Sequence, residues 1–313
     1  LTLVPGESPA PLRDEDLPGL CADLGIPGIV DVHTHFMAPQ ILAKVWAYFD
    51  AAGPLLGREW PITYRGSDDE RVEQLRRMGV KRFSALSYAH KPGIAGFMND
   101  WTLAFAERTP DALRSATFYP EPEAATYVPQ LLERGVDVFK VHVQVGNFAP
   151  NDPLLEPVWG ALAEAGTPIV LHAGSGPAPG TYTGPGAVAD VLGRHPKLAL
   201  VIAHLGMPEI DEFCDLAEKY DNVRLDTTMT FVDFWVNHEI FASVPRLVAL
   251  QDKIRMCTPT KSRRWPAWIW ATIGCAACCG TTEPSSLAST PNGGLRVTPA
   301  RYPQGSLRVG PGE

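Results

Sequence analysis

From residue 28 onward, short apolar or β-branched runs alternate with amphipathic stretches, and this alternation constrains the fold more than any other feature. The runs are GIVDVHTH (28–35), RFSALSYAH (82–90), SATFYP (115–120), VFKVHV (138–143), TPIVLHAG (167–174), LALVIAHLG (198–206) and VRLDTT (223–228). Between them, DDERVEQLRRMG, EPEAATYVPQLLERG, DPLLEPVWGALAEAG, AVADVLGRHP and MPEIDEFCDLAEKY place apolar residues at helical spacing and mostly stop at Gly or Pro. FVDFWVNHEIFASVPRLVALQD (231–252) reads as a longer helix interrupted at Pro245. Strands that alternate with helices run parallel, because each helix is the crossover between neighbours. Seven such units span about 225 residues, and a barrel of eight typically takes about 250. The expected class is therefore α/β, a (β/α)8 TIM barrel. An open doubly wound sheet is the alternative, but no G-x-G-x-x-G follows the first run. Residues 37–67 form an aromatic-rich insertion after the first strand, where it covers the mouth of a barrel.

Composition narrows the function classes. The chain has 313 residues, 45% hydrophobic and 20% charged, with net charge −8 and pI near 5.5. An acidic chain without a basic stripe is a poor fit to nucleic acid. No apolar run reaches the ~18 residues of a membrane span. The first twenty residues lack the basic start and apolar core of a secretion signal. The chain opens on Leu, so an incomplete start is expected. Only Cys21 and Cys214 precede residue 255, which predicts no disulfide framework and a cytoplasmic setting.

Histidines gather at the ends of these runs: His33 and His35, His142, His172 and His204, with His90 closing another. In a barrel the C-terminal strand ends converge on one mouth. Residues two apart on a strand face one way, so His33 and His35 share a side, with Asp31 one pleat deeper. Neutral imidazoles suit zinc, and two from one strand plus one from another leave an open position for water. One strand-end histidine is most often structural; three such motifs in order are specific. Lys140 and His142 share a strand face and are expected to line the pocket. Lys140 is either an anchor for a substrate carboxylate or part of a structural ion pair. The loop GSGPAPGTYTGPG (174–186) reads as a surface connection, with backbone N–H groups for a substrate carboxylate as the alternative. His195 is expected at the surface, and His238 has no evident role.

DVHTHF, VLHAG, VIAHLG and LDTT, in that order over residues 28–254, resemble the amidohydrolase superfamily, in particular its amidohydrolase-related branch of metal-dependent hydrolases and decarboxylases. The resemblance implies a divalent metal, zinc in most members, held by His33, His35 and His172. It places His204 beside the metal as ligand or as the group that polarises the substrate. It also implies an aspartate from the eighth strand as ligand and proton shuttle.

That aspartate is missing. No Asp follows Asp252, and residues 255–313 hold two acidic residues, Glu283 and Glu313, with four of the six cysteines and three of the eight tryptophans. Periodicity ends there as well. Read one base earlier, the codons allowed for residues 265–282 permit an amphipathic helix. We therefore expect an N-terminal arm (1–27), a barrel (28–254) with strand eight and its helix lost or garbled after residue 254, and an aberrant tail (255–313) translated out of frame. A genuine disordered tail is the alternative. Cys275, Cys278 and Cys279 lack a second ligand pair at metal spacing. Asp226 is at most a partial substitute for the missing aspartate.

The expected function is hydrolysis of a small carboxylated substrate through metal-activated water, impaired in this chain, with no strand-eight base. Non-oxidative decarboxylation is the close alternative and a non-catalytic remnant the alternative of another class; a deoxyribonuclease of related barrel type conflicts with the acidic charge. The expected partner is a small molecule, with no nucleic acid and no membrane, and a homo-oligomer is compatible with the reading.

Overall fold

Alternation from residue 28 builds a run of parallel strands, each followed by a helix. The computed structural model describes residues 14–230, except 24, 26, 58, 61, 63 and 64, and beyond them 243, 245–247, 249, 250, 253, 269 and 270. The described residues fall in one unit, Leu1–Gly280. The strands are β1 (Ile29–Asp31), β2 (Val80–Ser84), β3 (Ala112–Leu113), β4 (Ser115–Thr117), β5 (Val138–His142), β6 (Ile169–His172), β7 (Leu200–Ile202), β8 (Val223–Leu225) and β9 (Ile269–Trp270). All pairings are parallel, in the orders β3-β2-β1-β9 and β4-β5-β6-β7-β8. β3 and β4 are two halves of one bent strand that hands the sheet from β2 to β5. Among the described residues, β9 is the element that pairs with β1 on the side away from β2. β1 is thus not the bare edge that complete loss of strand eight leaves. The remainder of the 255–313 tail lies outside the described residues, as do most of the 231–252 helix and His238.

The helices are α1 (Leu17–Asp23), α2 (Pro39–Ala51), α3 (Gly53–Leu56), α4 (Asp68–Arg77), α5 (Ala95–Arg108), α6 (Ala124–Glu133), α7 (Val143–Gly146), α8 (Glu156–Ala165), α9 (Pro185–Arg194) and α10 (Ile210–Lys219). α4 starts on a capping box: Ser67 Oγ accepts from Glu70 N, and Glu70 reaches back to Ser67 N. The expected N-terminal arm is helical where described, with Leu17 and Cys21 packed on the cluster around Phe36, Phe83 and Phe105. α5 has no clean apolar stripe because two of its buried residues are polar, Asn99 and Thr102. They serve the strand bend. Asn99 Nδ2 donates to Thr117 O at 3.0 Å, Thr117 N donates to Asn99 Oδ1 at 2.7 Å, and Thr102 Oγ1 donates to Ser115 O at 2.7 Å. Side chains here replace the ladder bonds that the bend removes.

Three apolar clusters hold the layers apart. The largest joins the outer faces of β4–β8 to their helices around Trp159, Phe118, Phe139 and Phe213. A second lies outside β1–β3. The third is interior, with Val30, Leu113, Val138, Val170 and Val201 contributed by successive strands. On β5 the same face continues from Val138 to Lys140 and His142, and on β6 from Val170 to His172. An apolar floor therefore turns polar towards the strand ends.

Candidate metal centre

His33, His35, Lys140, His142, His172 and His204 all line one cavity of about 480 Å³. Ring centroids lie 5.2 Å apart for His33 and His35, 5.0 Å for His33 and His204, and 4.9 Å for His172 and His204. The histidines expected within the first strand lie beyond it. β1 ends at Asp31, whose carboxylate accepts from His33 N at 3.0 Å. His35 pairs only as an isolated bridge with Leu86.

His204 has left-handed backbone, φ 56°, as does Leu205. Such geometry costs of the order of 1–3 kcal/mol and persists where the surroundings enforce it. Asp226 enforces it: its Oδ1 accepts from His204 N at 2.9 Å and from Thr228 N at 3.1 Å, and its carbonyl accepts from Leu205 N at 2.7 Å. Gly206 follows at φ +73°, where a Cβ would sit 2.0 Å from the Phe213 ring.

The hydrogen bonds fix each imidazole's tautomer, because a carbonyl or carboxylate only accepts. His33 donates Nδ1–H to Asp226 Oδ2 at 2.7 Å, His35 donates Nδ1–H to Leu86 O at 3.2 Å, and His204 donates Nδ1–H to Thr228 O at 2.6 Å. His172 donates Nε2–H to Gly176 O at 2.9 Å. Each keeps one bare ring nitrogen. Burial holds all four imidazoles below their usual pKa, that of His204 at about 3, so they stand neutral. This is the state in which histidine binds a metal, with its other N–H held by an outer acceptor. His142 differs. Its Nδ1 accepts from Val145 N at 3.3 Å, so Nε2 carries the proton, and its ring stacks on His172 at 3.8 Å.

Donor atoms of His33, His204 and Asp226 lie within 4.8 Å of one another. Asp226 is fully buried. Burial alone would raise its carboxyl, but His33 and the other partners outweigh that and hold it well below the carboxylate range. Its oxygens already accept three N–H groups, so it orients His33 rather than adding a free ligand. Lys140 Nζ lies 3.2 Å from His33 Nε2, a cation against that bare nitrogen. Burial lowers the lysine's pKa to about 7, with Asp226 opposing. Asp31 also lines the cavity, its carboxyl raised to about 7 by burial, against the His33 N–H bond and with Asp226 adding. Among the described residues the donor atoms of His33, His204 and Asp226 are the set that comes together, with His35 and His172 on the same cavity but outside that set. His33, His204 and Asp226 are residue types that fit a divalent metal.

The insertion forms the cavity's outer wall through Leu42, Val45, Phe49, Trp60 and Ile62. Several N–H groups of the 174–186 loop are taken up within the protein. Ser175 N donates to Glu209 Oε2, Gly176 N to Met207 O, Gly180 N to Thr183 Oγ1 and Gly184 N to Ala173 O. Its contribution is the Gly176 carbonyl that holds His172. His195 is not free at the surface: it caps α9 and meets Glu156 Oε1 at 2.9 Å. His90 lies six residues past β2. Sequence reasoning missed Arg71, which donates to His35 O at 2.8 Å and to Asp68 Oδ1 at 2.8 Å and lies over the Phe36 ring at 4.1 Å. Its position on α4 gave no signal, because arginine is ordinary on an exposed helix. Among the described residues no helix is long and apolar enough to cross a membrane.

Residues 30–268 match the amidohydrolase family. No curated protein matches the chain. Among solved structures, a TIM-barrel protein of Bordetella bronchiseptica aligns with TM-score 0.60 and 18% identity over 80% of this chain and 87% of its own. A dihydroxybenzoic acid decarboxylase of Polaromonas sp. JS666, with bound manganese and 2-nitroresorcinol, aligns with TM-score 0.50 and 16% identity over 73% and 85%. Matched over most of its length, with a parallel barrel-type sheet and histidines gathered at its strand ends, the chain belongs to the amidohydrolase family.

Proposed function

We propose that the chain is a metal-dependent hydrolase acting on a carboxylated small molecule, with its turnover impaired because no Asp follows Asp252 to serve as the strand-eight base. The observation that carries the reading is the set of four imidazoles on one cavity, His33 and His172 buried and His35 and His204 half-buried, each giving one N–H to a fixed acceptor. His33, His35 and His172 would hold the ion, and zinc is the ion such a donor set suits. When bound, a divalent ion supplies Lewis acidity and lowers the pKa of water.

The chain's own groups have separable tasks. Asp226 fixes the tautomer and direction of His33. His204, with bare Nε2, accepts a proton or joins the ligands; in this tautomer it does not donate to an oxyanion. His142 carries the donor role, its Nε2–H available to a substrate oxygen. Lys140 supplies positive charge beside them and, displaced from His33 by the ion, would anchor the carboxylate. Strand eight should contribute the group that moves a proton to the leaving atom, and β9 (Ile269–Trp270) has no acid-base side chain. The cysteine usage supports a cytoplasmic protein.

Decarboxylation on the same centre is the second reading. It draws on the Polaromonas decarboxylase, which is similar in fold and holds manganese. Assay of the metal-loaded chain separates the two: carbon dioxide release from aromatic or enoic acids against hydrolysis of lactones and amides. Release without hydrolysis would replace the first reading by the second. Purified chain that retains no zinc or manganese on elemental analysis, and takes up none, would leave a non-catalytic remnant.

A further inference from the structure

The histidine cluster occupies only one end of its cavity. From His35 the space continues between α2 and α4: its α2 and insertion side is apolar, with Leu42, Val45, Phe49 and Trp60, while Glu70, Arg71, Gln74 and Arg77 line its α4 side. Phe49 and Trp60 stack with centroids 5.5 Å apart. Val45 and Phe49 line the channel from α2 and are half-buried. Pockets of about 300–1,000 Å³ enclose ligands of drug size, and 480 Å³ exceeds what a short carboxylic acid fills. The cations that line the cavity are Lys140 at the histidines and Arg71 and Arg77 on α4. Arg71 donates to Asp68 and His35 O and lies over Phe36, with its Nε left without a partner among the described residues. Arg77 is exposed, and its Nη2 donates to Gln74 Oε1 at 2.6 Å.

We propose that the substrate is amphiphilic: a reacting carboxyl or acyl head at the histidines, carrying an apolar chain or ring system that lies in the channel between α2 and α4. The placement of the head rests on the proposed function; the apolar body rests on the channel walls alone. The insertion after β1 then sets specificity by area rather than by hydrogen bonds. Each methylene added to the body gains affinity until the channel is full, after which further length gains nothing.

Titration calorimetry of straight-chain carboxylates, from acetate to decanoate, against the chain incubated with manganese tests this. The expected result is about fourfold tighter binding per methylene over the middle of the series. Phe49→Ala should reduce that slope by removing wall area, and Val45→Phe should cut it off at shorter chains by filling the channel. The two changes act oppositely on volume at half-buried positions of α2, so a fold defect in one does not mimic the other. Equal affinity for acetate and decanoate, or a slope that both variants leave intact, would overturn the proposal. Manganese uptake and turnover of short acids, measured on the same preparation, report on the catalytic reading separately. A flat slope with intact turnover removes only the amphiphilic substrate, whereas a steep slope without metal uptake removes only the metal chemistry.

Discussion

The two sides of the sheet are built differently. Around β4–β8, the largest apolar cluster runs from Leu103 to Leu247 and encloses Trp159, Phe118, Phe139 and Phe213. Around β1–β3, a much smaller cluster rests on Phe36, Phe83 and Phe105, with partial cover from Leu17, Cys21 and Trp101. The candidate centre straddles them. His33 and His35 come from the thin side, while Lys140, His142, His172, His204 and Asp226 come from the thick side. Their direct polar links at the centre are His33 to Asp226 and Lys140 to His33, both buried. The site is therefore also a seam, and the groups that would hold a metal also help hold the halves together.

Breaking the seam should have the largest effect. Asp226→Ala frees His33, His204 N and Thr228 N together and removes the negative charge that offsets Lys140. Losing one partner of a buried charged network costs about 3–5 kcal/mol. Urea unfolding should show that loss, and Asp226→Asn should keep more of the fold while weakening metal affinity about 10–100-fold.

The cation in the seam gives the next effect, on the metal-free chain. Lys140 has a folded-state pKa of about 7 against an ordinary 10.5. Between those values the unfolded chain binds the extra proton, so stability rises with pH from about 7 towards 10. The urea midpoint should climb over that range and flatten in Lys140→Met. A midpoint that falls between pH 7 and 10 in the parent would mean that the ammonium is stabilised where it lies.

Changes confined to one side should be smaller and should sharpen the contrast. On the thick side, Gly206→Ala forces a Cβ into Phe213 at a positive φ, at a cost of about 2–3 kcal/mol in thermal or urea unfolding. On the thin side, Ser67→Ala removes the α4 cap for about 1 kcal/mol. Hydrogen exchange should then speed first in α4 and β2, with β5–β7 unchanged.

Much of this was legible in the sequence, and the exceptions have physical causes. Strand runs from 115 to 225 fell where period and turn residues placed them, with Gly135 and Gly166 stopping the helices before β5 and β6 and Pro196 following the helix before β7. α5 escaped notice because Asn99 and Thr102 interrupt its apolar stripe to serve a strand bend that no local pattern announces. The histidines were visible as a group, since a barrel brings strand ends together whatever their spacing in the chain. Their tautomers were not, because the acceptors are the carbonyls of Leu86, Gly176 and Thr228, and a backbone carbonyl has no signature in sequence. Asp226 was visible in LDTT, but its role as the residue that turns His204 and holds His33 depends on contacts 22 and 193 positions away. The channel under the insertion was legible only as an excess of aromatic residues between 37 and 67.

The most direct test of the central claim is calorimetric titration of the metal-free chain with zinc, in parallel with His33→Asn and His172→Asn. Imidazoles from both sides meeting on one ion predict a single tight equivalent in the parent, lost or weakened at least 100-fold in either variant. Undiminished zinc binding in both variants, or none in the parent, would contradict it.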